Sequence, residues 1–293
     1  MSTHDSLGVF DHSSDATFRV WIIKIHAMLT DIGLVQTSDT GQVNTATVTK
    51  SGSTNTDAGF SVWRFNDTLQ ATVPIFIRFN FGNGDSTSRP RITFEVGAAT
   101  NGSGTLSGLG SGTSYTITSS LNSLATSYRC LGAGDGSGFW IAPWYDNANG
   151  HHRPFVCIDR FRNDDGTPNA DGFTVVYRAG NAVTSSTLIH NRATSTVSTL
   201  SFFPSLIPFP VATNMSTLTV DGELVTYPGW VCTPQPRGIK MIRTLNYADM
   251  PSLQLFTTAT FGATRTFIPF GGYSVYWDVQ SRSNVSAAYW WAD

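Results

Sequence analysis

The apolar periodicity of this chain changes once, at Gly33, and that change limits what it can fold into. Before Gly33, Phe18, Trp21, Ile22, Ile25, Met28, Leu29 and Ile32 recur at steps of three and four. That spacing puts side chains on one face of a helix. Ser14 or Asp15 can cap the start, and Gly33 can close the end. After Gly33 the period is two. Ile75, Ile77, Phe79 and Phe81 share one parity, while Arg78 and Asn80 fall on the other. A half-buried strand requires this alternation. One helix followed by strands predicts an all-β fold, a β-sandwich or jelly-roll-like core with one amphipathic N-terminal helix.

Composition points the same way. Lysine occurs only at Lys24, Lys50 and Lys240, and glutamate only at Glu95 and Glu223. Both residue types favour helices over strands. At 293 residues the chain can bury a core without cross-links. The net charge is −2 and there is no basic block, so no nucleic-acid partner is expected. No apolar run approaches the roughly 20 residues of a membrane-spanning helix, so no membrane partner is expected either. The opening MSTHDSLGVF lacks the positive and apolar regions of a secretory signal. Cys130, Cys157 and Cys232 are scattered and odd in number, which argues against a disulfide framework and for synthesis in a reducing cytoplasm.

Residues 1–12 are polar and unpatterned, and are expected as a flexible arm. The run from Trp63 to Gly84 reads as two strands around the turn residues Asn66, Asp67 and Thr68. Pro74 marks a strand start or a sheet edge. Residues 91–97 follow as a third strand, completing a meander. Residues 97–114, rich in Gly and Ser, are a long loop or a linker. Further strands are expected at 138–142, 153–161, 172–178, 198–203, 255–261, 265–270 and 273–279, with an irregular proline-rich crossing at 202–211. The chain then divides into the arm (1–12), a helix-and-meander unit (13–110) and a β-rich remainder (111–293), packed with that unit as one.

Motifs for chemistry are sparse. Asp39-Thr40-Gly41 matches the core of an aspartic-protease loop, but such a site needs two carboxylates and the chain has one such motif. Residues 163–172, NDDGTPNADG, offer oxygen ligands without the spacing of a calcium-binding helix–loop–helix, and read better as a turn. His151, His152 and Cys157 lack a fourth zinc ligand at a recognisable spacing. The glycine-rich stretch matches neither phosphate-binding pattern, and no hydrolase elbow occurs. No catalytic residue, metal or cofactor is assigned, and the chain is expected not to be an enzyme. Aromatic side chains remain: Trp144, Tyr145 and Trp230 are candidates for stacking on a glycan.

Three segments carry a resemblance. DTGQVN (39–44), WRFNDTLQATVPIFIRFNFGNG (63–84) and VGAATNGSGTLSG (96–108), preceded by a helix holding Phe18, Arg19 and Trp21, resemble a recurrent pattern in virion structural proteins of tailed bacteriophages. The likeness covers about residues 15–110 and transfers no catalytic residue. It implies a structural part of the particle, at the tail, baseplate or neck, assembling with other virion proteins and with copies of itself. The candidate contact residues are Phe18, Trp21, Ile25, Arg64, Arg78, Trp290 and Trp291. Alternatives are a receptor-binding fibre or spike head recognising host surface glycan, a capsid decoration protein, and a glycan-cleaving enzyme.

Overall fold

The computed structural model describes residues 2–10, 12–109, 111–118, 126–145, 155–163, 165–178, 186–191, 196–199, 219–220, 223–224, 226–233, 235–244, 256–260, 263–269 and 286–292. Strand β1 (Ser2–Phe10) opens the chain. The arm expected to be flexible is therefore a strand, paired antiparallel with residues 126–134. It carries little apolar signal because it ends a sheet, with Thr3, Asp5 and Leu7 exposed.

Helix α1 (Asp15–Asp31) lies where the spacing predicted it. The Ser14 hydroxyl accepts from the Thr17 amide at 3.2 Å, and the Thr17 hydroxyl accepts from the Ser14 amide at 3.1 Å. This reciprocal pair satisfies donors that a helix start leaves open. Gly33 ends the helix at φ +92, and a Cβ there would sit 3.1 Å from the Gly136 amide nitrogen. Glycine meets both demands, the left-handed backbone and the close approach.

A five-stranded sheet follows, built on the expected meander. Its strands are β2 (Val35–Gln36), β3 (Asp57–Arg64), β4 (Phe76–Asn83), β5 (Pro90–Gly97) and, after the short pair β6 (Ala99–Thr100) and β7 (Leu106–Ser107), β8 (Tyr115–Thr118). The β3–β4 connection is wider than a tight hairpin. Asp67 leads into a 3-10 turn at Thr68–Ala71, and β4 begins two residues past Pro74. The glycine-rich segment is a loop within this sheet, because β8 returns to pair with β5.

The second sheet is larger, with 12 strands among the described residues. It comprises β1, β9 (Thr126–Gly134), β10 (Gly138–Tyr145), β11 (Phe155–Arg162), β12 (Pro168–Arg178), β13 (Ser186–Asn191) and β14 (Thr196–Thr199). Beyond the separate short pair β15 (Thr219–Val220) and β16 (Glu223–Leu224) come β17 (Thr226–Thr233), β18 (Gln235–Thr244), β19 (Phe256–Thr260), β20 (Ala263–Pro269) and β21 (Ser286–Ala292). The main order is β1-β9-β10-β11-β18-β21-β20-β19, with β12 to β14 branching from β11 and β17 from β18. Six of the strands expected downstream overlap β10, β11, β12, β14, β19 and β20. Residues 202–211 and 273–279 lie outside the described residues.

The two sheets pack as a sandwich. Phe79 meets Phe139 at 6.5 Å and Phe94 meets Tyr177 at 5.8 Å, ring centre to ring centre. α1 packs against β1, β9 and β2. Trp21 there touches Phe81 of the small sheet and Trp144 of the large one. All seven residues of its apolar stripe are buried. One core cluster joins side chains from both sides of residue 110. Each large apolar side chain so buried contributes about 1.5–3 kcal/mol before entropic costs.

Candidate functional site

The motif-bearing segments meet on the small sheet. Asp39 is 8% exposed, and its carboxylate anchors the glycine-rich loop. Oδ1 accepts from the Thr37 hydroxyl at 2.6 Å, while Oδ2 accepts from the Gly104 amide at 2.8 Å and from the Thr100 hydroxyl. Burial acts to raise the pKa of Asp39. The hydrogen bonds from Thr100, Thr37 and Gly104 outweigh it and hold the carboxyl below its ordinary value. The Asp-Thr-Gly motif is thus a loop anchor.

Arg78 holds the same loop from the sheet face. Its guanidinium lies 4.4 Å over the Phe60 ring, and it donates to the Asn80 side chain at 2.9 Å and to the Gly104 carbonyl at 3.2 Å. Glu95 pairs with it at 3.5 Å. Gly104 has φ +89, and a Cβ there would stand 2.2 Å from the Phe60 ring. Arg64 donates to the Phe65 carbonyl at 3.3 Å.

A buried ionic clasp joins the two sheets. Arg160 of β11 pairs with Asp67 beyond β3, with Nη2 at 3.2 Å from Oδ1. Arg160 also lies 5.3 Å from the Phe65 ring. Arg162 donates to Asp159 at 2.6 Å and to the Ser137 hydroxyl at 2.8 Å, and faces Asp135 at 3.4 Å. Burial works against the Arg162 charge, but Asp159 and Asp135 outweigh it and raise its pKa. Arg160, Arg162 and Asp159 are each 1% exposed. Sequence reading missed this network. Alternation places charges on the inner parity of β11, a signal that reads as a broken strand unless partners are known.

Two histidines sit in the aromatic part of the core. Asn83 donates through Nδ2 to the Ser51 and Ser53 carbonyls at 2.6 and 2.9 Å, which turns Oδ1 toward His12 Nε2 at 2.9 Å. His26 lies 5.4 Å from the Trp63 ring and 5.7 Å from Phe81. Burial pushes its pKa down to about 4.

The remaining candidates separate. Phe18, Trp21 and Ile25 are at most 1% exposed, so the stripe packs on this chain's own sheets and offers a neighbour no face. That corrects the expectation for these three as contact residues. Trp144 is 2% exposed beside Trp21, which leaves it no free ring face for a sugar. Of Tyr145, Trp230, Trp290 and Trp291 only the backbone is described. Trp290 and Trp291 lie in β21, whose strand pairs with β18 on one side and β20 on the other. Within the stretch 163–172 expected as a turn, the Asp165 carboxylate accepts from the Thr167 amide at 2.9 Å and hydroxyl at 2.6 Å, and β12 already begins at Pro168. Asp164, His151 and His152 lie outside the described residues. Cys130 is buried, which pushes its pKa up to about 12.

Among the described residues no group of three His, Cys, Asp or Glu side chains forms a metal-holding cluster, and no helix is long and apolar enough to cross a membrane. No protein-family model, curated protein or solved structure matches this chain.

Proposed function

We propose that this chain is a structural building block of a tailed-phage particle, at the tail, baseplate or neck, working through repeated protein–protein contacts. The reading starts from the three segments that resemble virion proteins. The observation that carries it is their convergence. The helix with Phe18, Arg19 and Trp21, the β3–β4 pair and the glycine-rich loop form one packed unit, tied by Asp39, Arg78 and the Trp21–Phe81 contact. Arg19 joins in by donating to the Val48 carbonyl at 2.7 Å.

The surface proposed for assembly is not the apolar stripe of the helix. Val20 and Ile23, on the outer side of α1, are 51% and 49% exposed, and Leu7 of β1 is 68% exposed. Lys24 donates to the Leu7 carbonyl at 3.2 Å, which brings β1 alongside this part of the helix. A patch of this kind suits a subunit contact. Mass spectrometry of purified particles of the phage that encodes the chain tests the reading. Its peptides are expected at stoichiometric abundance, and their absence overturns the proposal.

A further inference from the structure

The N-terminal strand brings three side chains into a relay. His4 Nδ1 lies 2.7 Å from Asp31 Oδ2, and His4 Nε2 lies 2.9 Å from the Ser6 hydroxyl oxygen. His4 and Ser6 share one parity of β1, and Asp31 is the last residue of α1. An ionised carboxylate can only accept, so Nδ1 carries the imidazole hydrogen. Nε2 is then the acceptor, and the Ser6 hydroxyl donates to it. That is the order of groups that activates a serine: nucleophile, base, and a carboxylate that fixes the base's tautomer.

We propose that Ser6, His4 and Asp31 form a nucleophilic site for carboxylic esters. The inference adds a chemistry to a chain read above as a building block, and does not depend on that reading. Ser6 Oγ attacks the ester carbonyl carbon while His4 Nε2 takes the hydroxyl proton. The tetrahedral intermediate collapses, the C–O bond to the alcohol breaks, and His4 returns the proton to the leaving oxygen. Water then attacks the acyl-Ser6 carbonyl, giving one proton to His4. Release of the carboxylic acid restores the Ser6 hydroxyl with that proton.

The surroundings favour the charges this cycle needs. The imidazolium formed in each half-reaction stands beside Asp31 at the C-terminal end of a helix, where the backbone dipole also favours a cation. Lys24 reaches the carbonyl of the residue after Ser6 at 3.2 Å, placing positive charge beside the nucleophile's strand. Behind Ser6, its strand partner Cys130 donates to the Pro143 carbonyl at 3.1 Å and also has the Ser6 side chain as a hydrogen-bond partner, a second contact for the hydroxyl that meets His4. Burial pushes the pKa of that thiol up to about 12, so it does not compete as a nucleophile. The Asp31 side chain is 53% exposed, the His4 side chain is 11% exposed, and Ser6 is half-buried.

The experiment treats the full chain with a fluorophosphonate and maps the adduct by peptide mass spectrometry, alongside p-nitrophenyl acetate hydrolysis. A single adduct on Ser6 is expected. Labelling and hydrolysis should fall on the order of 100-fold in His4→Ala, the scale of a lost general base, and to background in Ser6→Ala. Asp31→Asn should slow both while leaving the fold intact, as read by circular dichroism. An unlabelled Ser6 in the folded chain overturns the proposal. So does labelling at an equal rate in His4→Ala, or an adduct at another residue with Ser6→Ala fully active.

Discussion

Arg160 and Asp67 meet across the sandwich as a buried ion pair, the arginine from β11 of the large sheet and the aspartate from the exit of β3 in the small one. Their side chains are 1% and 6% exposed. Removing one partner strands a buried charge, whereas removing both does not. Asp67→Ala is therefore expected to cost about 3–5 kcal/mol, and the double change Arg160→Met with Asp67→Leu to be close to neutral. Urea unfolding of the two variants checks this. Equal losses would mean that the pair does not couple the sheets.

Neighbouring positions on α1 should behave oppositely. Trp21 is 1% exposed and Val20 is 51% exposed. Trp21→Ala leaves a cavity between the sheets and should cost about 3–5 kcal/mol. Val20→Asp should change stability by no more than about 0.5 kcal/mol. If the outer face of the helix is a contact surface, Val20→Asp combined with Ile23→Asp lowers the assembled mass in light scattering while the melting temperature holds. An unchanged mass would remove this face from the assembly.

His26 makes a pH prediction whose sign is definite. Its folded pKa lies at about 4 against an ordinary 6.5. The unfolded chain therefore takes the proton first on acidification. This contribution to stability is complete above pH 6.5, falls as the pH drops toward 4, and levels off below. The loss is at most about 3 kcal/mol. His26→Leu should flatten that part of the curve, measured as denaturant midpoints at pH 7, 5 and 4. A parallel curve would assign the acid sensitivity to other groups.

Gly104 carries two requirements that can be separated. Its φ of +89 disfavours any side chain, and a Cβ would collide with Phe60. Gly104→Ala is expected to cost about 1–3 kcal/mol and to raise hydrogen exchange over 99–107. Adding Phe60→Leu should recover the steric part and leave the backbone part. Full recovery would show that the left-handed conformation costs little here.

Much of the fold was legible because it rests on local periodicity. The seven-residue stripe of α1, its cap at Ser14, one of the two positions expected, the Gly33 stop and the alternation of β4 each depend on local spacing or residue type, and each is found in the structure. Strands without an apolar alternation were not legible. β1 is polar because it lies at a sheet edge, and reading it as an arm also hid the one parity shared by His4 and Ser6.

The sequence by itself determined that the chain is all-β with one helix near its N-terminus, which face of that helix is apolar, and where the first meander runs. The tertiary structure decided what those faces meet. It placed Trp21 and Trp144 inside, turned Asp-Thr-Gly into a loop anchor, and joined Asp67 to Arg160 over a separation of 93 residues. The reason is range. Periodicity follows from a backbone repeat a few residues long, whereas charge pairing and burial depend on distances that only the closed sandwich creates.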